Sequence, residues 1–600
     1  MKLKWLWLIF GALFAAGDSA GGEKPWIEVK SPHFRVLTDS GAGDARLVAK
    51  EFEDFRALMV ARYSNFRLES GAPLVIFAAK DEETAKALLP NVWKIKGEKY
   101  SSYYSHSWEK QFAMVRLDTW GRGAQPAVFY DYAQMVLTLN CRWAPTWLSV
   151  GFDEFYSYAL FQEGKAFLGN PSPRVKLLKN MHLAPIPVET LLDVNARSPY
   201  MHEFDLVYRF RAEAWLLYHY LVLGPDMGGG AKLQQFFEML QGGAKQKEAF
   251  QQVFGSFKSM DTALQRYLER FNLPAMQVNN SVRFSDKDFS ARTLTMAETQ
   301  AELGGYHLWT RDWDNARAYV KDALNNDPNL GLAHEEQGFL HLHDGKDAQA
   351  VQEFSTALEK DKTLFLSQFF KTMMSPQATS EVRTDQSIFR QGLTDTLNLN
   401  MQFAPAFVQL SLLALRQNDL KTALNYATRA EGLEPSRAGY HTYSGQILLR
   451  LGRYQEAEDH ARFVADRWTA ADHNEAFELW KSIPEANRSA ASPIVEDHPK
   501  DTERAEGVLK AATCGDRTQW SLTITQGDQF PSFRQAEKFR WGFSDTLWYG
   551  QNHISICHGL EGKRTIVFYK PSHTGDANGE AVEVEVRNDL TVAPANAPAD

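Results

Sequence analysis

Cysteine is nearly missing from this chain, with three residues in 600, at Cys141, Cys514 and Cys557. Three scattered thiols argue against a close-spaced thiolate zinc site. Cys514 and Cys557 share one C-terminal segment, and in an oxidising compartment they are a candidate disulfide. Basic stripes are missing too. The net charge is −9 and Lys and Arg are dispersed, which argues against nucleic acid as a partner. Long apolar runs are confined to the N-terminus. "AEAWLLYHYLVLG", starting at Ala212, carries Glu213 and His219 and reads as a core helix. Nothing after the leader has the roughly 20 apolar residues that a spanning helix needs.

The leader, "MKLKWLWLIFGALFAAGDSAGG", places two lysines before an apolar run from Trp5 to Ala16, followed by small residues. It reads as a cleavable secretory signal over residues 1–21. The alternative is an uncleaved anchor, for which the run is short. No cysteine follows the small residues, which disfavours a lipoprotein. The expectation is an exported protein, periplasmic or extracellular.

What is present points to several domains, because 600 residues are too many for one core. "WIEVKSPHFRVLTD" alternates like a strand or hairpin, and Val48, Phe52, Phe55 and Met59 are spaced for one face of a helix. "APLVIFAAKDEETAKALLP" reads as a strand followed by a helix, and "KQFAMVRLDTW" as another strand. From Gln125 to about Pro274 the pattern turns helical, giving one α+β domain over 25–275.

A repeat of 34 residues follows. Gly304, Ala316 and Ala323 are matched one period later by Gly338, Ala350 and Ala357, and Pro328 and Phe354 occupy further slots of the repeat. Ala423, Ala430 and Pro435 mark a further copy, and Gly445 with Ala457 another, with a degenerate unit at 364–403. Small residues at these slots let antiparallel helices approach closely, and proline ends the second helix. The pattern resembles tetratricopeptide repeats and implies an α-solenoid over 295–470 whose groove takes a protein or peptide partner. After it come a linker at 471–502, a small β domain at 503–588 carrying "ATCGDRTQWSLTITQGDQF", "HISICHGLEGKRTIVFYKPS" and "GEAVEVEVR", and a disordered tail at 589–600.

The order of parts carries a second resemblance. The opening "W..V.SPHF.VLTD", an "EFEDFR" helix, "PTWLSVGFDEFYS", the "Y.F.AEAWLLYHYL" helix and "AFQQVFGSFKSMDTALQRYL", followed by the repeats, are similar to the peptidase-MA-like family of exported bacterial proteins. The resemblance implies a gluzincin-like, thermolysin-type zinc-peptidase domain ahead of the solenoid. In active members two histidines at i and i+4 of HExxH share a helical face and bind zinc, and the intervening glutamate polarises the metal-bound water. Laid onto this chain, the first histidine falls on Tyr130, the glutamate on Asp131, the second histidine on Gln134 and the third ligand on Val150. Trp147, Leu148 and Gly151 keep the second motif. The resemblance therefore implies a degenerate site from which zinc is lost, and no other cofactor is expected.

Asp153 and Glu154, one turn beyond Val150, read first as the solvated edge or cap of a helix. The alternative is a carboxylate cluster with Asp131 that supports a divergent hydrolase. Tyr130 and Tyr132 read as packing aromatics, and Cys141 as a buried small residue rather than a nucleophile. "GAGDAR" lacks the rest of a nucleotide fingerprint, and "GDSAG" falls within the leader. Three readings follow. The first is a non-catalytic, protein-binding scaffold, the second a hydrolase on carboxylates, and the third a first domain that merely caps the solenoid.

Overall fold

A computed structural model describes residues 24–94, 101–107, 109–119, 126–181, 185–195, 197–270, 272–280, 284–375, 386–514, 520–543, 560–572 and 577–587. The leader, Cys557, the side chain of Cys514 and the tail lie outside the described residues, and the disulfide expectation lies there with them.

The N-terminal domain has strands β1 (Ile27–Lys30), β2 (Arg35–Thr38), β3 (Leu74–Ala79), β4 (Ser102–His106), β5 (Gln111–Arg116), β6 (Leu160–Gln162), β7 (Lys165–Leu168), β8 (Met276–Asn279) and β9 (Ser290–Thr293). Its helices are α1 (Ala42–Arg62), α2 (Glu82–Leu88), α3 (Pro126–Asn140), α4 (Thr146–Ser157), α5 (Pro173–Met181), α6 (Val188–Asp193), α7 (Phe204–Leu223), α8 (Ala231–Gln241), α9 (Gln246–Phe254) and α10 (Phe257–Leu268). Six strands form one sheet in the order β4-β5-β3-β2-β1-β9, with β2, β3 and β5 parallel. β1 and β2 form the hairpin read from their alternation. β9 returns from beyond residue 275 to pair with β1, Ile27 opposite Thr293, so the domain reaches past the boundary drawn at 275. Its sequence, SART, is exposed along its length and lacks the alternation that marks a half-buried strand.

Both faces of this sheet are buried. Successive side chains point to opposite sides, so Val36, Ile76, Ala78, Ala113 and Val115 pack against α1 and α3, which bring Phe52, Phe55, Phe129 and Tyr132. The alternate set, Leu37, Phe77, Ala79, Phe112 and Met114, packs instead against Leu303, Tyr306 and Trp309 of the first repeat. The sheet is thus the middle layer between the N-terminal helices and the solenoid.

Among the described residues the repeats form five helix pairs: Met296–Trp309 with Trp313–Asn326, Gly331–His343 with Asp347–Lys360, Phe365–Met373 with Ser387–Leu399, Ala404–Arg416 with Leu420–Leu433, and Ala438–Arg450 with Tyr454–Ala465. The small residues do what their spacing predicts. A Cβ on Gly304 would stand 2.7 Å from Val320, and one on Gly338 would stand 2.7 Å from the Phe354 ring. Second helices such as Trp313–Asn326 bury one stripe, Ala316, Val320 and Ala323. First helices such as Met296–Trp309 and Ala438–Arg450 are buried almost all round, the former because the N-terminal sheet covers the side its partner leaves open, the latter because the helix Ala471–Ser482 packs on it as well.

The linker drawn at 471–502 begins too early. Residues Ala471–Ser482 form a helix that buries Ala476 and Leu479 against the last pair, closing its apolar end. The period stops there, so repetition offers no signal for this helix. Beyond it β10 (Glu503–Cys514), β11 (Trp520–Thr525), β12 (Ser532–Phe543), β13 (Arg564–Pro571) and β14 (Gly579–Arg587) close a barrel in the order β10-β11-β12-β14-β13. β12 was absent from the sequence reading, since its charged and amide residues blur the alternation. The barrel rests on helix Ala471–Ser482 through Arg564 and Glu478 at 2.8 Å and through Asn474 and Glu585 at 2.9 Å. Among the described residues no helix is long and apolar enough to cross a membrane.

Candidate functional site

The positions singled out in sequence sit on α3 and α4, which pack against each other and, through α4, against α7. Stacking of Phe129 on Phe55, with ring centroids 4.8 Å apart, sets the rotation of α3. Tyr130 then lies under the guanidinium of Arg211 from α7, at 4.3 Å. Asp131 and Gln134 open onto a cavity of about 290 Å3 lined also by Tyr104, Gln111, Glu434 and Ser436. Val150 faces the other way, into the apolar core.

The chemistry of these four residues does not fit a zinc site. A phenol beneath a fixed cation, an exposed amide and a buried isopropyl group do not supply the three donors that catalytic zinc requires. Burial, reinforced by Asp153, pushes the Tyr130 phenol upward, so it offers no phenolate. Trp147 and Gly151, which carried part of the resemblance, have packing roles. Trp147 is fully buried and donates from Nε1 to Gln246 Oε1 at 3.0 Å. Gly151 admits α7, since a Cβ there would stand 2.6 Å from the Ala214 carbonyl and 2.7 Å from Tyr218 Cβ. Gly151→Ala is expected to cost about 1–3 kcal/mol by overpacking, read in urea denaturation.

The expectation that Asp153 and Glu154 form a solvated edge is corrected. They are 0% and 1% exposed, because α4 is enclosed on all sides and leaves no wet face. Glu154 is held by Arg211 Nε at 2.6 Å and by Arg174 Nη1 at 3.1 Å, so its charge is taken up within the fold. Asp153 makes no hydrogen bond of good geometry on either carboxyl oxygen, and Ser149 exerts only a minor pull on it. Burial, and then the charge of Asp131, raise its carboxyl well above the usual range, against the pull of Arg211. Burial likewise pushes Asp131 up to about 7, again opposed by Arg211.

A carboxyl raised in the folded state costs nothing below its unfolded value near 4, and it destabilises progressively as pH rises toward the folded value. Asp153→Asn is therefore expected to stabilise the protein by about 1–3 kcal/mol at pH 8, with the gain shrinking toward pH 4. Thermal denaturation across that range measures it, and a pH-independent gain overturns the assignment.

Two other titratable groups are spoken for. Burial raises the Cys141 thiol to about 12 and leaves it inert. His219 is fully buried, takes Tyr267 Oη on Nδ1 at 3.0 Å, faces the Pro274 carbonyl with Nε2 at 3.1 Å, and is lowered by burial to about 4. It is a satisfied core histidine.

A larger cleft of about 590 Å3 runs between the N-terminal domain and the repeats. Lys30, Arg35, Phe112 and Tyr132 line one side, and Glu302, Glu335, Glu336 and Phe365 the other. It shares Ser70, Ala72 and Met135 with the smaller cavity, so the two adjoin at these residues. At its base Lys110 Nζ bridges Glu335 at 2.9 Å and Glu336 at 2.8 Å, and Arg35 reaches Glu302 at 2.6 Å. The sequence reading missed Arg211, Lys110, Glu335 and Glu336. No spacing rule marks them, because each gains its meaning from a partner far along the chain.

Residues 408–471 match the tetratricopeptide repeat family. No curated protein matches the chain. Among solved structures, PilF of Pseudomonas aeruginosa is 17% identical, with 31% of this chain and 83% of that one covered and a TM-score of 0.27. YrrB, described as a tetratricopeptide-repeat protein with an unusual peptide-binding site, is 15% identical over 31% of this chain and 92% of its own, with a TM-score of 0.26. TTC0263 of Thermus thermophilus is 16% identical over 31% and 98%, with a TM-score of 0.25. The chain contains tetratricopeptide repeats, and these support a protein-binding or scaffolding role with protein or peptide partners.

Proposed function

We propose that this chain is an exported, non-catalytic scaffold in which an N-terminal domain related to zinc peptidases and the repeat solenoid form one body, and that the cleft between them takes an extended protein segment. The observation that carries this reading is the 590 Å3 cleft built jointly by the sheet and the first helices of the repeats. Its apolar lining residues Phe112, Tyr132 and Phe365, together with charges of both signs, suit a peptide with mixed side chains. The sheet covers much of the face that a free solenoid offers to ligands, so the partner meets the seam rather than an open groove. The leader supports export, and the residues at the four motif positions support the absence of peptidase chemistry.

A peptide library screened for binding and for hydrolysis tests both halves of the proposal. Saturable binding weakened by Phe365→Ala, without cleavage in the presence of added zinc, is the expected result. Cleavage abolished by Asp131→Ala overturns it. One observation favours the hydrolase reading, namely that Asp131 lines a cavity with its carboxyl raised to about 7. Against it, Asp153 is fully buried and Glu154 is saturated by two arginines.

A further inference from the structure

Three side chains converge in the last two repeats that nothing above uses. Glu431 stands near the end of helix Leu420–Leu433, His441 in the first turn of Ala438–Arg450, and His460 in Tyr454–Ala465. Their potential ligand atoms all lie within 4.8 Å of one another. They come from three successive helices, and no short sequence spacing joins them.

His441 is fully buried, and its Nε2 donates to the Pro435 carbonyl at 2.7 Å. In the neutral ring that bond places the proton on Nε2 and leaves Nδ1 with the lone pair. Nδ1 lies 2.9 Å from Glu431 Oε1, yet it lacks hydrogen-bond direction and has no other partner. The Nδ1 of His460 is also buried without a partner. Ser444 Oγ donates to the second oxygen of Glu431 at 3.0 Å and orients the carboxylate. An imidazole whose outer N–H is held by a carbonyl, beside a carboxylate held by a hydroxyl, is the outer support that metal ligands use.

We propose that Glu431, His441 and His460 bind one divalent transition-metal ion of the zinc class, which ties the fourth repeat to the fifth. Two imidazoles and a carboxylate suit zinc, cobalt or nickel and leave a coordination position for water or for a donor from a bound partner. Ligand atoms around tetrahedral zinc lie roughly 3.3 Å apart, so binding draws the three side chains inward by small rotations. Phe463 flanks His441, with ring centroids 5.0 Å apart, and gives the cluster an apolar wall. Arg142, stacked on Phe463 at 4.1 Å, is the cation facing the cluster and weakens the site without filling it. The competing arrangement is a plain ion pair between protonated His441 and Glu431, whose carboxyl His441 holds at about 2 against the upward push of burial.

The untagged full chain, stripped with EDTA, is titrated with Zn2+ by calorimetry and with Co2+ by visible absorption. One equivalent of zinc, a Tm raised by the metal and a saturable cobalt d–d spectrum are expected. His460→Gln, at a partly exposed ligand, is expected to lose at least about tenfold in affinity and the metal-dependent Tm gain, while keeping the metal-free Tm. His334→Gln, at a separate His–Glu pair, is expected to leave binding unchanged. No uptake by the wild type, or uptake that both His460→Gln and His441→Gln leave intact, overturns the proposal. A Tm that follows pH with no cobalt spectrum assigns the cluster to the ion pair and also overturns it.

Discussion

Lys110→Met is expected to destabilise the chain by about 3–5 kcal/mol at pH 8. Lys110 stands at the turn between β4 and β5, where its ammonium is the shared partner of Glu335 and Glu336 on the second repeat. Both glutamate side chains are only 2% exposed, so removing the cation leaves two carboxylates buried side by side. Glu335 has partial compensation, because its other oxygen accepts from Ser367 N and Oγ. Glu336 does not, and burial already pushes it up to about 7 even though Lys110 pulls the other way.

The sign with pH follows. A carboxyl raised in the folded state opposes folding increasingly as pH climbs from its unfolded value near 4.5, and loss of Lys110 raises it further. The deficit of Lys110→Met is therefore larger at pH 8 than at pH 5. Adding Glu335→Gln and Glu336→Gln to Lys110→Met is expected to restore most of the loss, as for other buried pairs replaced whole. Urea denaturation followed by tryptophan fluorescence measures it. A loss below about 1 kcal/mol would place the triad among surface ion pairs and remove the electrostatic part of the seam.

Tyr306→Ala is expected to cost about 3–5 kcal/mol through a cavity at the same seam. Tyr306 is fully buried, and its ring meets Phe77 at 4.7 Å and Phe112 at 5.7 Å, both from the sheet face turned toward the repeats. Truncation removes contacts from two domains at once. Unfolding of the N-terminal domain and of the repeats is expected to be less tightly coupled in Tyr306→Ala than in the wild type, read as a wider separation of their denaturation midpoints. Tyr306→Phe is the matching control. The hydroxyl is buried without a partner, so its removal is expected to be neutral or stabilising. A costly Tyr306→Phe would instead reveal a polar role for the hydroxyl.

Much of the fold was legible in particular residues. Gly304, Gly338, Ala316 and Ala350 announce close helix crossings because only small side chains permit them, and the crossings are there. The β1–β2 hairpin, β3 and β5 follow from short apolar runs. β9, β12 and the helix Ala471–Ser482 were not legible, since each is held by partners distant in sequence rather than by its own pattern. For the candidate site, the expectation that zinc is lost rests on the identities of Tyr130, Asp131, Gln134 and Val150 at the positions the resemblance assigns. The burial of Asp153 and Glu154 was not legible, because solvation of a helix end depends on what packs over it.

The sequence by itself determined the local arrangements: a repeat whose period is written in glycine and alanine, strands written in alternation, and motif positions whose chemistry is set by residue type alone. Only the tertiary structure decided that one sheet serves two cores, that Lys110 meets Glu335 and Glu336, and that Glu431, His441 and His460 converge. The physical reason is that alternation states that a face will be buried but not what will bury it. Charges far apart in the chain acquire their partners only when separate elements close on one another.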